Sequence, residues 1–331
     1  MMMMDRVARI VVGVGCLCLA GCSGLAGPTK DMRQLRDQAA EALRIGVRYP
    51  QMATVRAYAV EAMQQVGTKD MRPWIRQAVH DDNPAVRFAA CIALGTLRDS
   101  LATDAIAPLA SAPVTSDRIA AIFALHRLGD TARTHKLAEY LLNDSDPANR
   151  RHAAFVLGRL GERGAIKLLA RAMRDDDRGV RTNALESMAL LGSPEAVSTL
   201  VANCFSGIGA EETLAILALG RLNDPKHRDL FKDRLVKGQY VETQLAAARA
   251  LGALKDRSGF DLALKSLDYV ARKDQPDDPA WNQQHRVREM AALALGAIGD
   301  RRALPRLGQV LEHADDPRLQ IAAARAILEI Q

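Results

Sequence analysis

Apolar residues recur along most of this chain at the three- and four-residue spacing of one helix face. The pattern returns as a skeleton, V-R-x-x-A-x-x-A-L-G-x-[LI]-x-D, which is complete in residues 287–300. Aligned on the glycine of the skeleton, which we call the anchor, nine copies fall at 64, 95, 126, 158, 189, 220, 252, 296 and 328. A fixed period of this length is typical of a solenoid.

One column of the repeat never varies. Five positions before each anchor stands an alanine: Ala59, Ala90, Ala121, Ala153, Ala184, Ala215, Ala247, Ala291 and Ala323. A small residue kept at one place on a helix face indicates that a neighbouring helix approaches too closely there for a longer side chain. Asn83-Pro84, Asp146-Pro147 and Asp316-Pro317 each supply a capping residue followed by proline, which predicts helix starts.

The repeats resemble the HEAT-like repeats of phycobilisome lyases, from about Tyr49 to the C-terminus. The resemblance implies an all-α solenoid, a superhelix of about eight to nine helical hairpins, with residues 31–46 as an N-terminal capping helix. At about 10 Å per stacked layer, such an array would be roughly 80–90 Å long.

The N-terminus has the features of an export signal. Arg6 and Arg9 precede an apolar run, residues 10–20, which is too short to span a bilayer. The following L-A-G-C resembles the lipobox of bacterial lipoproteins and implies lipid attachment at Cys22. We therefore expect a signal peptide at 1–21, a lipidated tether at 22–30 and the solenoid at 31–331. The mature protein would be exported and membrane-anchored, at the periplasmic or outer-membrane face.

Charged residues also recur within the repeat. An arginine stands eight positions before many anchors and an acid four positions after many: Arg56, Arg87, Arg118, Arg150, Arg181 and Arg288, with Asp99, Asp130, Glu162, Asp224, Asp256 and Asp300. We expect these residues to form a ladder of side-chain bonds between repeats. Ligand binding by the same arginines is the alternative.

Two features are candidates for binding. The 44-residue interval before anchor 296 contains an insertion, predicted as a loop at 268–284, in which Trp281 either binds a partner or folds back onto the next helix. Repeats two to four carry apolar residues where other repeats are polar. We predict a partner-binding groove there, and packing within the chain is the alternative. Its predicted residues are Phe88, Ile92, Ile119, Phe123, Arg127, Phe155 and Arg159, together with Trp281.

The remaining features of the composition argue against several classes of function. Aromatic residues make up 4% of the chain, and the net charge of +6 is spread over many charged residues, so nucleic-acid binding is not expected. Outside the signal only Cys91 and Cys204 remain, and both are predicted as core thiols. No catalytic, metal-binding or cofactor motif is present, which predicts a chain that is not an enzyme and has no cofactor.

These observations favour a non-catalytic scaffold for protein partners of unknown identity, held at the cell envelope by the N-terminal lipid. The alternative is a HEAT-like enzyme or cofactor-binding protein, similar to the lyases, that uses the groove and the 268–284 loop. Phycobilisome lyases act in the cytosol, and the export signal weighs against that alternative.

Mass spectrometry of the protein purified from membranes tests the signal. We expect a mature N-terminus at Cys22 that carries acyl chains. Cys22→Ser should stay unacylated and leave the membrane fraction, because one or more acyl chains supply the membrane affinity. An N-terminus at Met1 or Met4 would contradict the export prediction.

Overall fold

The structure is a computed structural model that describes residues 31–271 and 278–331. The predicted signal peptide, the tether with Cys22 and part of the predicted insertion lie outside the described residues. Eighteen α-helices follow one another in the described chain. They are α1 (Met32–Gly46), α2 (Ala53–Val66), α3 (Arg72–Gln77), α4 (Pro84–Thr96), α5 (Thr103–Ile106), α6 (Thr115–Leu128), α7 (Lys136–Asn143), α8 (Pro147–Leu160), α9 (Ile166–Ala172), α10 (Arg178–Leu190), α11 (Pro194–Asn203), α12 (Gly209–Leu222), α13 (Arg228–Lys237), α14 (Val241–Ala253), α15 (Phe260–Ser266), α16 (Ala280–Ile298), α17 (Leu304–His313) and α18 (Pro317–Glu329). The predicted all-α solenoid is confirmed.

The nine even-numbered helices, α2 to α18, carry the repeat skeleton and form an inner layer. Each packs against the next, and α18 packs in turn against α2, so the inner layer is a closed ring. This closure corrects the expected open array of 80–90 Å. Nine helix axes spaced by about 9–10 Å give a two-layered ring roughly 60 Å across.

Small residues allow the inner helices to approach closely. The alanine column is buried in all nine helices. At the anchors, a Cβ on Gly95 would lie 2.8 Å from the Cα of Ala124 in the next inner helix, and one on Gly296 would lie 2.9 Å from the Cα of Ala326. These glycines are needed because the backbone of the next helix takes up the space of a side chain.

The N-terminal helix α1 completes the ring. In the outer layer, α1 packs against α18 and α2, beside the ninth inner helix. Arg36 donates hydrogen bonds to the carbonyl oxygens of Ile330, at 2.8 Å, and Leu328, at 3.3 Å. These acceptors lie at the C-terminal end of α18, where a cation is favourable. The predicted capping helix therefore closes the ring and does not cap a free end.

Several local predictions can be compared with the helices. Asn83, Asp146 and Asp316 each accept a hydrogen bond from the backbone two residues later, as expected of N-caps. Cys91 and Cys204 are free and buried. The loop predicted at 268–284 is shorter than expected, since α16 begins at Ala280. Within the described ranges, no helix is long and apolar enough to cross a membrane.

Side-chain bonds between repeats are present as predicted, but the predicted arginines and the predicted acids do not pair with each other, and only three of the six arginines bind an acid of the next repeat. Arg56 binds Asp81 at 2.7 Å, Arg87 binds Asp117 at 2.7 Å and Arg150 binds Asp175 at 2.7 Å. Each of these acids lies in the next repeat, either at the start of its inner helix or just before it. The guanidinium groups of Arg87, Arg118, Arg150 and Arg181 also bind the carbonyl oxygens before their own helices.

Most of the acids predicted for the ladder cap the segment that follows them, and Asp99, Asp256 and Asp300 also form ion pairs with cations of the preceding repeat. Asp99, Asp130, Asp224, Asp256 and Asp300 each accept a hydrogen bond from the backbone N–H two residues later, at the start of the outer segment. The sixth, Glu162, lies 3.7 Å from His126. Arg288 donates to the carbonyl oxygen of Tyr269 and has no acid partner in the described chain.

Ring closure can be tested with Ile321→Arg. Ile321 is buried at the contact of α18 with α1 and α2, where its Cδ1 lies against Gly46. A charge there should cost about 3–5 kcal/mol and open the ring without unfolding the remaining layers, whose contacts are with their own neighbours. Small-angle X-ray scattering should show a larger maximum dimension at unchanged helix content. The control is Val236→Arg on exposed α13, which should leave the dimension unchanged. An unaltered dimension in Ile321→Arg would contradict closure.

Candidate functional site

The inner ring encloses a lumen, and one register of the repeat faces it. Residues three positions before and one position after each anchor occupy this register, in which Ile92 and Phe123 are the exceptions because they are buried in the core. Its charged members, which we call the lumen cluster, are Glu61, Arg127, Arg159, Glu186, Arg221, Arg249, Arg325 and Glu329. Arg159, Arg221 and Arg325 lie close enough to Glu61 to act on the pKa of its carboxyl, although the four residues belong to α8, α12, α18 and α2. The lumen thus brings together residues that are distant in sequence.

Protein surrounds the lumen cluster, including side chains that are accessible to water. The Glu61 side chain is accessible to water, yet burial raises the pKa of its carboxyl, and the nearby arginines offset only part of that shift. Burial lowers the pKa of Arg159 to about 10, with Arg221 adding to the effect. Burial also lowers the pKa of Arg249 to about 10, with Arg325 as the nearest like charge. Both arginines remain protonated at neutral pH.

Some arginines of the cluster are paired and others are not. Arg221 forms an ion pair with Glu186, and Arg325 binds Glu329 at 2.8 Å. Arg159 stacks on the ring of Phe155, with its guanidinium carbon 3.7 Å from the ring centroid. Among the described residues, neither Arg159 nor Arg249 has a carboxylate or another hydrogen-bond acceptor. The Nε of Arg127 is buried without a partner in that same part of the chain.

A cavity of about 340 Å³ opens on one side of the lumen, between α12 and α18. Its floor is made of small residues, including Ala250, Ala253 and Ala297. Its charged lining is Arg221, Arg249, Arg325 and Glu329. Because α14 and α16 carry alanine one position after the anchor, where α6, α8 and α12 carry arginine, space remains between the helices. An arginine-lined cavity of this kind can hold an anionic group by charge-assisted hydrogen bonds.

The structure separates the residues of the predicted groove. Ile92, Ile119 and Phe123 are buried in the core, and Phe123 fills the space beside Gly95 of the preceding helix. They do not line a groove, which corrects the prediction for these three. Half-buried Phe88 packs on His152, with ring centroids 4.3 Å apart.

The other predicted groove residues divide between two places. Phe155 and Arg159 are at the lumen, and Arg127 shares their register. Trp281 is 60% exposed at the start of α16, beside His285. The predicted site is therefore not one surface.

Most of the lumen cluster lies outside the residues predicted from the sequence. Arg127 and Arg159 were predicted only as neighbours of the phenylalanines in the apolar positions of repeats two to four. The other members could have been predicted by comparing this register across all nine repeats, where arginine or glutamate occupies eight positions.

A second group of titratable residues lies where the ring closes, and we call it the seam cluster: Tyr58, Glu289, Asp316 and Arg318. Arg318 binds Asp316 at 2.7 Å and lies 3.7 Å from Glu289. Burial raises the pKa of Glu289 to about 7, a shift that Arg318 opposes and Asp316 strengthens. Burial also raises the pKa of Tyr58.

Glu289 should make stability depend on pH. Between the unfolded pKa of about 4.5 and the folded pKa of about 7, the folded chain holds a proton that the unfolded chain lacks. Stability should therefore fall as pH rises through this window and change no further above it. Glu289→Gln should remove about 1–3 kcal/mol of this loss, measured by urea unfolding at pH 4.5 and 8. Exposed Glu139→Gln is the control, and equal pH profiles of Glu289→Gln and the unsubstituted protein would refute the assignment.

Comparison with known proteins identifies a curated relative. The chain is 32% identical over 209 residues to phycocyanobilin lyase subunit alpha of Nostoc sp. strain PCC 7120, which is 60% of this chain. The matched segment spans 62% of the length of that relative. The prediction that the chain is not an enzyme is contradicted by this similarity, because the relative is a lyase subunit. The similarity favours the alternative, a lyase-like protein, over the non-catalytic scaffold.

Solved structures with a similar arrangement of helices include two named proteins. One is the complex of CpcE and CpcF of phycocyanin lyase from Nostoc sp. PCC7120, at 17% identity and a TM-score of 0.43, covering 84% of this chain and 100% of that one. Another is human deoxyhypusine hydroxylase, at 19% identity and a TM-score of 0.36, covering 80% and 97%. Residues 40–126, 134–206 and 281–328, more than half of the chain, match the HEAT repeats family. The chain belongs to the family of HEAT repeat proteins.

Proposed function

We propose that this chain is a lyase-type protein that acts on a bilin, or on a molecule of the same chemistry, and transfers it to or from a protein. The observation that carries the proposal is the 32% identity over 209 residues to a phycocyanobilin lyase subunit. The similarity extends over much of the repeat array and is not confined to one hairpin.

The chemistry of the lumen supports this proposal. A bilin is an open-chain tetrapyrrole with a flat apolar body and two propionate side chains. The lumen offers the ring of Phe155 and the side chain of Leu217 to the apolar body, and arginines to the propionates. The 340 Å³ cavity lies near the lower end of the usual range for small-molecule sites, about 300–1,000 Å³. A bilin would fill the cavity and extend into the lumen.

A protein partner is part of the same proposal. The relative is named as a subunit, so we propose that this chain also works with another protein, either a second subunit or the acceptor of the bilin. The partner-binding surface would lie at the rim of the ring, where a ligand in the lumen can be reached.

We further propose that the protein is exported and held at the membrane through Cys22. The support is in the sequence alone: two arginines, a short apolar run and L-A-G-C. Under this proposal the acceptor protein lies outside the cytoplasm. The anchoring and the lyase activity are independent, and each can hold without the other.

Reconstitution tests the lyase activity. The detergent-solubilised protein is mixed with phycocyanobilin and apo-phycocyanin, with and without envelope extract from its own cells as the source of a partner or acceptor. We expect covalent attachment, read as chromophore that stays with protein on a denaturing gel, at least about tenfold faster than without the chain, equivalent to about 1.4 kcal/mol of barrier. Heat-unfolded protein is the control. Rates equal to the control in every mixture would refute the proposal.

A further inference from the structure

The lumen carries more positive than negative charge. Five arginines and three glutamates occupy its register, and two of the glutamates pair with Arg221 and Arg325. The third, Glu61, is shifted toward its neutral form by burial. Five arginines less three glutamates leave a formal surplus of two positive charges in this register, and protonation of Glu61 would increase it.

The surplus falls on arginines that the protein keeps partly desolvated. Arg159 and Arg249 lack an acceptor within the described ranges, and each has another arginine as its strongest charged neighbour. An arginine in such a place costs free energy without a compensating ion pair, and a purely structural role would be filled as well by an uncharged side chain. Unpaired guanidinium groups that face a cavity are the arrangement expected of a site whose acceptors come from a ligand.

The two arginines lie on different parts of the lumen wall. Arg249 is in the lining of the 340 Å³ cavity with Arg221 and Arg325. Arg159 projects from α8, where its guanidinium carbon lies over the ring of Phe155. Glu61 and Arg221 lie within electrostatic reach of Arg159, and Arg221 also acts on Arg249. Arg221 is therefore a common neighbour of both arginines.

We propose that Arg159 and Arg249 are the two poles of an anion site in the lumen, which binds a small organic molecule with two carboxylates on an apolar framework. Arg221 and Arg325 assist Arg249 at the cavity, and Phe155 contacts the framework beside Arg159. Two carboxylates match the surplus charge, and the apolar lining excludes inorganic anions as the preferred ligand. The identity of the molecule as a bilin rests on the proposed function, whereas the site itself rests on the charges and the cavity.

A binding titration with paired ligands tests the site. The probes are biliverdin, its dimethyl ester and citrate, added to the full solubilised protein and followed by absorbance or calorimetry. The ester keeps the framework and loses both charges. We expect biliverdin to bind at least about tenfold more tightly than its ester, because hydrogen bonds between two charged groups are stronger than those to neutral acceptors. Citrate, which has carboxylates without an apolar framework, should bind more weakly than biliverdin.

Substitutions assign the two poles. Arg159→Gln and Arg249→Gln should each weaken biliverdin binding by at least about tenfold and leave ester binding nearly unchanged. Arg171→Gln removes the same charge from the exposed face of α9 and should bind like the unsubstituted protein. Equal affinity for acid and ester, or unchanged binding in both lumen variants, would overturn the site. Tighter binding of citrate than of biliverdin would overturn the ligand class.

Thermal melting without ligand separates binding from a structural role. If the arginines serve a ligand, Arg159→Gln and Arg249→Gln melt at or above the temperature of the unsubstituted protein, since a desolvated cation is removed. A drop of more than about 5 °C in both variants would mark the arginines as structural and contradict the proposal.

The activity assay keeps the two proposals apart. Arginine-dependent binding of biliverdin without any transfer to an acceptor would uphold the anion site and refute the lyase. Transfer at equal rates by both lumen variants and the unsubstituted protein would uphold the lyase and refute the site.

Discussion

The close approach of the inner helices is the constraint on which the rest of the structure depends. Alanine in one column keeps the contacts between inner helices short, and glycine at five anchors lets α4, α8, α12, α14 and α16 approach the next inner helix closely. The outer helices carry no such column, so the inner side of each layer is narrower than the outer side. A stack built from wedge-shaped layers curves toward its narrow side. Nine layers that complete a turn need about 40° each, and the packed glycines hold the inner helices near enough for that rotation.

Closure removes the usual weakness of a repeat array, the exposed apolar face at each end. Helix α1 occupies the outer position beside the ninth inner helix, and Arg36 binds carbonyl oxygens at the C-terminal end of α18. The two ends of the chain thus stabilise each other. An array of this kind gains its last interface only when all the layers are folded. The stability of the seam should therefore depend on the folding of the whole ring. A change in the charge of Glu289, which lies in the seam cluster, should alter the free energy of closure.

Local pattern predicted the helices, their caps and the alanine contacts, because each depends on residues close in sequence. Closure could not be predicted, because it results from small rotations between successive layers, and no spacing in the sequence specifies their sum. The ladder shows the same limit at the scale of one side chain. Asp99 and Asp300 each accept a hydrogen bond from a backbone N–H two residues later, which requires little chain to be ordered, and their ion pairs are with arginines other than the predicted ones. Glu61 and Arg325 come together only through closure, so the lumen cluster was visible in the sequence as a register but not as a site.

Enclosure in the ring makes Arg159 and Arg249 destabilising when unpaired and also makes them bind an anion more strongly. In an open crescent, Arg159 and Arg249 would face water, which screens their charges and weakens their hold on an anion. Inside the lumen, protein replaces part of that water, so an unpaired guanidinium is destabilising and a bound carboxylate relieves more free energy. A ligand that contacts α8 and α14 together would also bind the closed ring better than an opened one. Its binding free energy would then favour closure by mass action. The ring and its ligand would then stabilise each other, and without the ligand the surplus positive charge would destabilise the ring.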